Sequence, residues 1–178
     1  MKQFFNIVRP LKKVLGFKGA SPQEKTEAFS ETDRFKACGV FMTTTAYKVV
    51  TEYNLDYGYY HSAEPFFVVK TEKELLKAIK DALEASWYVG ACINLSTKDY
   101  LKRLKERSFK HLYHNSTSCF VRLKGNILEI TKYELHPSGR YLHESPDKVS
   151  LSIDEVGWDA ALQVIMSILN QENNSNSR

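Results

Sequence analysis

Apolar residues follow two rhythms along this chain, and the change from one to the other happens twice in the same order. In the first passage, Gly39 to Tyr53 and Tyr57 to His61 read as strands. Phe66-Phe67-Val68-Val69 follows as an apolar run, and helical spacing then sets in from Glu72 to Ser86. In the second, Cys119 to Leu123 and Ile127 to Tyr133 form a hairpin around Lys124-Gly125-Asn126. Lys148 to Ser152 is a further strand, and Asp154 to Asn170 a second amphipathic helix. Thr71 with Glu74, and Ser152 with Glu155, fit the S/T-x-x-E capping box, in which each side chain bonds the other's backbone N–H and so starts a helix.

Displacing the first passage by 82 residues lays Leu76, Ile79, Leu83 and Trp87 on Trp158, Ala161, Ile165 and Leu169. The coincidence predicts an internal β-β-β-α duplication and an α+β fold. A largely antiparallel sheet should carry both helices on one face, burying Leu76, Ile79, Leu83, Trp158, Leu162 and Ile165. Between the passages, Asp99 to about Lys110 reads as a basic connecting helix. Its thin apolar face of Leu101, Leu104 and Phe109 predicts a mostly solvated element.

The flanks read differently. Phe4, Phe5, Ile7, Val8, Leu11, Val14 and Leu15 are spaced as a short helix ending at Gly16, and Gly19 to Asp33 reads as a linker. The expected organisation is therefore an N-terminal arm and linker over residues 1–34, a single α+β domain over 35–170 and an unstructured tail over 171–178.

Charge changes this picture more by its distribution than by its net value of +4. Residues 1–20 carry five basic side chains and no acidic one, and residues 97–110 carry six basic against two acidic, so the remaining body is net acidic. Cys38, Cys92 and Cys119 are an odd set at long spacing, as expected of reduced thiols in a cytoplasmic protein. Basic residues interrupt the apolar runs of Met1 to Phe17, and no stretch approaches transmembrane length.

Candidate chemistry is sparse. His111 and His114 are spaced to share a helical face, with Cys119 following, yet no further ligand stands at a zinc-site spacing. His136, Arg140, His143, Glu144 and Asp147 share a presumed loop from Leu135 to Asp147, where a His–carboxylate pair could act as a base. No nucleophile elbow, phosphate-binding glycine loop or HExxH motif is present. The expectation is a binding protein and not an enzyme, with no catalytic, cofactor or metal residues assigned.

One segment stands out. Glu52 to Glu64 holds four tyrosines, three acidic residues and no lysine or arginine. Tyrosine supplies contact area at low entropic cost, and uncompensated carboxylates attract a basic partner. The expected partner-binding residues are Glu52, Asp56, Tyr57, Tyr59, Tyr60 and Glu64.

The ordered features resemble a known family. Phe66 to Val69, the helix Glu72 to Leu83, the hairpin Cys119 to Ile130, Val149-Ser150-Leu151 and the helix Asp154 to Leu169 are similar in order and spacing to the small α/β immunity proteins of bacterial contact-dependent growth inhibition (CDI) systems, over roughly 35–169. The resemblance implies a cytoplasmic protein, without a membrane or cofactor role, that binds one-to-one the C-terminal toxin domain of a secreted exoprotein, often a nuclease, and neutralises it; nucleic acid is not the expected partner. The basic chain, with pI near 8.8, departs from the acidity common among inhibitors of basic nucleases. The alternative is a nucleic-acid-binding protein that grips phosphates with Lys98, Lys102, Arg103, Lys105, Arg107 and Lys110 and stacks bases on Phe109 and Tyr113.

Overall fold

A computed structural model describes residues 35–55, 59–86 and 95–171, without the side chains of residues 53–55, 59–61 and 63. The arm and linker over 1–34, the tail from residue 172, Trp87 and Cys92 lie outside the described residues. Six strands form one antiparallel sheet: β1 Lys36–Thr43, β2 Tyr47–Leu55, β3 Tyr59–Val69, β4 Ser116–Lys124, β5 Ile127–Leu135 and β6 Leu142–Ser152. Helix α1, Glu72–Ser86, follows β3. Two short helices, α2 Thr97–Arg103 and α3 Phe109–His114, precede β4, and α4, Ile153–Leu169, follows β6.

The strand order is β3-β2-β1-β4-β5-β6. Each β-β-β-α half is a meander running outward from the antiparallel β1–β4 pair at the centre. The first half divides differently from the sequence reading: Gly39 to Tyr53 is not one strand, because a turn closed by Thr43 N–H donating to the Ala46 carbonyl at 2.9 Å parts β1 from β2, and the apolar run Phe66 to Val69 is the end of the single long strand β3. Alternation along the strands sorts side chains onto two faces. On one face, Cys38, Val40, Val49, Cys119, Val121, Leu128 and Ile130 form the main core with Leu75, Ile79 and Leu83 of α1 and with Ala161, Leu162, Ile165 and Leu169 of α4. Both long helices therefore pack on the same face. Leu76 and Trp158 are only partly buried at its margin, and Leu75, not Leu76, is the fully buried residue of the first helical turn.

The two helix starts differ. At α1 the capping box forms: Glu74 N–H donates to Thr71 Oγ1 at 3.3 Å, and Thr71 N–H donates to Glu74 Oε2 at 3.0 Å. Thr71→Ala is expected to lower stability by about 1 kcal/mol, read as a shift in the denaturant midpoint at unchanged slope. At α4, Ser152 makes no capping bond. Instead Asn126, in the β4–β5 turn, accepts from Ile153 N–H at 2.8 Å and donates through Nδ2 to Asp154 at 2.9 Å. Gly157 then breaks the helix with φ of 74°, a left-handed conformation that glycine adopts at low cost. A contact from the neighbouring hairpin has taken over the cap that local sequence promised.

Two further expectations are corrected. The connecting segment is not one solvated helix: Lys105, at φ 54°, reverses the chain and splits it into α2 and α3. Leu104 and Leu112 are fully buried against Phe41 and Val50, so α2 and α3 form a cap on the second face of the sheet. The presumed loop from Leu135 to Asp147 is mostly strand, because β6 already begins at Leu142 and pairs with β5 through Leu135–Leu142, Glu134–His143 and Tyr133–Glu144.

Candidate functional site

The second face is where the polar chemistry collects. Strand register aligns Ser62, Glu52, Ala37, Arg122, Glu129 and Ser150 in one row across all six strands. A parallel row holds Phe66, Val50, Gly39, Phe120, Thr131 and Lys148. Gly39 has a local reason: a Cβ there would stand 3.2 Å from Glu52 Oε1, so the glycine lets the carboxyl lie against the β1 backbone. Ser86, the last residue of α1, donates to the Glu52 carbonyl and accepts from Ala37 N–H at 2.8 Å, which anchors this end of the row.

Arg122 reaches the opposite way, donating to Glu144 Oε1 at 2.5 Å, with Glu129 at 3.9 Å and the Phe120 ring 4.9 Å beneath its guanidinium. Burial, assisted by the Glu144 charge and opposed by Arg122, pushes the Glu52 carboxyl from its ordinary 4.5 up to about 8. Burial likewise raises the phenols of Tyr100, Tyr113 and Tyr133, and the nearby Glu52 charge adds to each shift. Glu52 is accordingly a mostly neutral carboxylic acid at pH 7, held among tyrosines.

A second buried group locks the cap to the sheet. Lys48 on β2 and Glu106, in the turn between α2 and α3, form an ion pair with side chains only 5% and 6% exposed, and His111 Nδ1 lies 2.7 Å from the other Glu106 oxygen. Burial pushes the Glu106 carboxyl up, but the hydrogen bonds and charges of Lys48 and His111 outweigh it and hold the group below 4.5. Phe66, Tyr100, Phe109 and Tyr113 close the cap with ring centroids 5.1–5.6 Å apart in sequence.

These placements divide the expected site. Glu52 joins the polar row on the second face. Glu64 is not an uncompensated charge, since Arg103 of α2 bonds it at 2.5 Å. Tyr59 and Tyr60 lie on β3, the outermost strand among the described residues, their backbone paired with Leu55 and Asn54. Asp56 and Tyr57 lie outside the described residues.

The histidine groups also separate. His111 is engaged with Glu106 on the cap, whereas Cys119 is buried among the helix-face residues. His143 and Glu144 are consecutive on β6 and so point to opposite faces: His143 is 3.8 Å from Glu134, and Glu144 serves Arg122. His136 stacks on Tyr141 at 4.2 Å. Cys38 and Cys119 are free and buried. Burial, with the neighbouring thiol, raises Cys38 well above the usual range, and burial pushes Cys119 up to about 12, so neither is an activated nucleophile.

Sequence reading missed Lys48, Glu106 and Arg122. A faint signal existed: each is a single charge set against its surroundings, Lys48 and Arg122 within apolar strand runs and Glu106 within a basic run.

The fold is shared with a chain of a toxin and immunity complex. That structure is the CdiA-CT/CdiI toxin and immunity complex from Yersinia pseudotuberculosis, matched at TM-score 0.54 and 15% identity over 75% of this chain and 97% of that chain. A protein of unknown function, NMB0488 from Neisseria meningitidis, matches at TM-score 0.55 and 16% identity, over 78% of this chain and 98% of that one. No family model and no curated protein matches the sequence. No helix among the described residues is long and apolar enough to cross a membrane.

Proposed function

We propose that this chain is an immunity protein that binds the C-terminal toxin domain of a CDI exoprotein one-to-one in the cytoplasm and neutralises it by covering it, without catalysis. The observation that carries this reading is the fold held in common with a chain of the CdiA-CT/CdiI complex over almost that chain's whole length. The sequence resemblance points the same way from different material, the order of buried runs and helix starts.

The contact is assigned to the segment from Glu52 to Glu64, with Asp56, Tyr57, Tyr59 and Tyr60 as its principal residues. Among the described residues β3 ends the sheet, and its tyrosines supply the amphipathic contact area that interfaces favour. The ion pair between Glu64 and Arg103 gives Glu64 a structural share, and the neutral carboxyl of Glu52 removes it from charge steering.

The direct test is co-expression with the toxin domain encoded beside this gene, followed by isolation of the complex. Protection of the cells and a one-to-one complex are expected. Tyr59→Ala with Tyr60→Ala should weaken binding at least about tenfold, and Asp56→Lys should slow association in a salt-dependent way. Cell death despite abundant folded protein, with no complex recovered, would end the proposal.

A further inference from the structure

The reversal at Lys105 has a second consequence besides capping the sheet. It turns the apolar side of both short helices inward and leaves their cations outside. Lys98, Lys102, Lys105, Arg107 and Lys110 are all exposed, and among the described residues none of the five is in an ion pair. Arg103 is taken by Glu64, and the acids within the cap are committed elsewhere: Asp99 accepts from Ser96 at 2.6 Å, and Glu106 is buried with Lys48.

The surface so formed is ill-suited to an acidic protein. Protein interfaces are built around aromatic and apolar anchors and are poor in lysine. Here Tyr100, Phe109 and Tyr113 are occupied with one another, and Leu104 and Leu112 are buried. What remains is flexible cationic side chains without an anchor, which suits a partner whose recognition is a repeated negative charge. The base stacking that the sequence suggested is not needed for this, since the Phe109 and Tyr113 rings are half-buried and stacked on each other with centroids 5.6 Å apart.

We propose that the α2–α3 cap binds the phosphate backbone of nucleic acid without sequence preference, as an activity separate from toxin binding. Phosphate contacts of this kind release counterions, so affinity must fall steeply with salt. Five contacts to a single strand correspond to a log–log slope of about −3.5 at most.

The test uses the purified full chain, without toxin, and a short fluorescent single-stranded RNA of mixed sequence titrated at several salt concentrations. Salt-dependent binding is expected, independent of base composition. Lys102→Glu with Lys105→Glu and Lys110→Glu should weaken it at least tenfold and flatten the slope while leaving the melting temperature and the toxin complex unchanged. The corresponding Lys→Gln set should give an intermediate loss. Lys73→Glu with Lys77→Glu on α1 should change little.

The proposal is overturned if the cap variants bind RNA as the parent does, or if only Lys12→Glu with Lys13→Glu in the N-terminal segment abolishes binding. It also falls if the protein binds vesicles of anionic lipid but not RNA, or if the cap variants lose the toxin and keep the RNA. Since no toxin is present in the RNA titration, its failure is distinct from failure of the immunity reading.

Discussion

Replacing Lys48 with Met is expected to cost about 3–5 kcal/mol of folding stability near neutral pH, among the largest effects of any single substitution in this protein. Lys48 and Glu106 are both almost fully buried, so removal of the ammonium leaves a carboxylate away from water with only His111 beside it. The cost comes from that stranded charge more than from the lost attraction. A second substitution, Glu106→Gln, should therefore restore most of the loss when added to Lys48→Met, because the amide keeps an acceptor for His111 and needs no counter-charge. Denaturant unfolding of the two single variants and the double variant measures this coupling. A double variant no more stable than Lys48→Met alone would show that Lys48 matters for its packing. Because α2 and α3 rest on this tie, amide exchange in residues 97–114 should accelerate in Lys48→Met before it does in β1 or β4.

Glu52→Gln is expected to stabilise the protein in mildly alkaline solution and to remove a pH dependence that the parent shows. The folded state holds the Glu52 proton up to about pH 8, whereas the unfolded chain releases it near 4.5. Between those values the folded state binds more protons, so stability falls as pH rises. The limiting slope is about 1.4 kcal/mol per pH unit, and partial exposure of Glu52 makes a few kcal/mol in total the upper expectation. Above about pH 8 both states are ionised and the loss is complete. Glutamine is neutral throughout, so the variant should trace a flatter profile across that window. Glu106 contributes the opposite sign at lower pH, since its carboxylate is stabilised by folding and that stability is lost as acid protonates it. Subtracting the variant's profile from the parent's isolates Glu52. Parallel profiles would mean that Glu52 ionises freely and that its position beside Gly39 carries no electrostatic cost.

What the sequence determined by itself is the repeated part of the protein. Alternation in strands and helical spacing in α1 and α4 are local consequences of which side chains must leave water. Two similar β-β-β-α passages therefore announced an antiparallel sheet with both long helices on one face, although alternation alone did not show the turn that parts β1 from β2. The Lys124-Gly125-Asn126 turn and the Thr71–Glu74 cap were legible for the same reason, since each is settled within a few residues.

The second face was decided only in three dimensions. Glu52 and Arg122 are seventy residues apart in sequence, and only the antiparallel β1–β4 pairing, with Ala37 between them, brings them into one row. The partners of Lys48 and Glu64 lie in a segment that read as a solvated helix. Its apolar face looked thin because the chain reversal at Lys105, which recruits Leu112 and Tyr113 to the same side as Leu104, has no helical period. Whether a carboxylate is a free anion, a buried acid or half of an ion pair depends on the dielectric and the charges around it. Those are supplied by residues distant in the chain, so Glu52 and Glu64 could be picked out in the sequence and Glu106 was passed over, while the state of all three was given only by the tertiary structure.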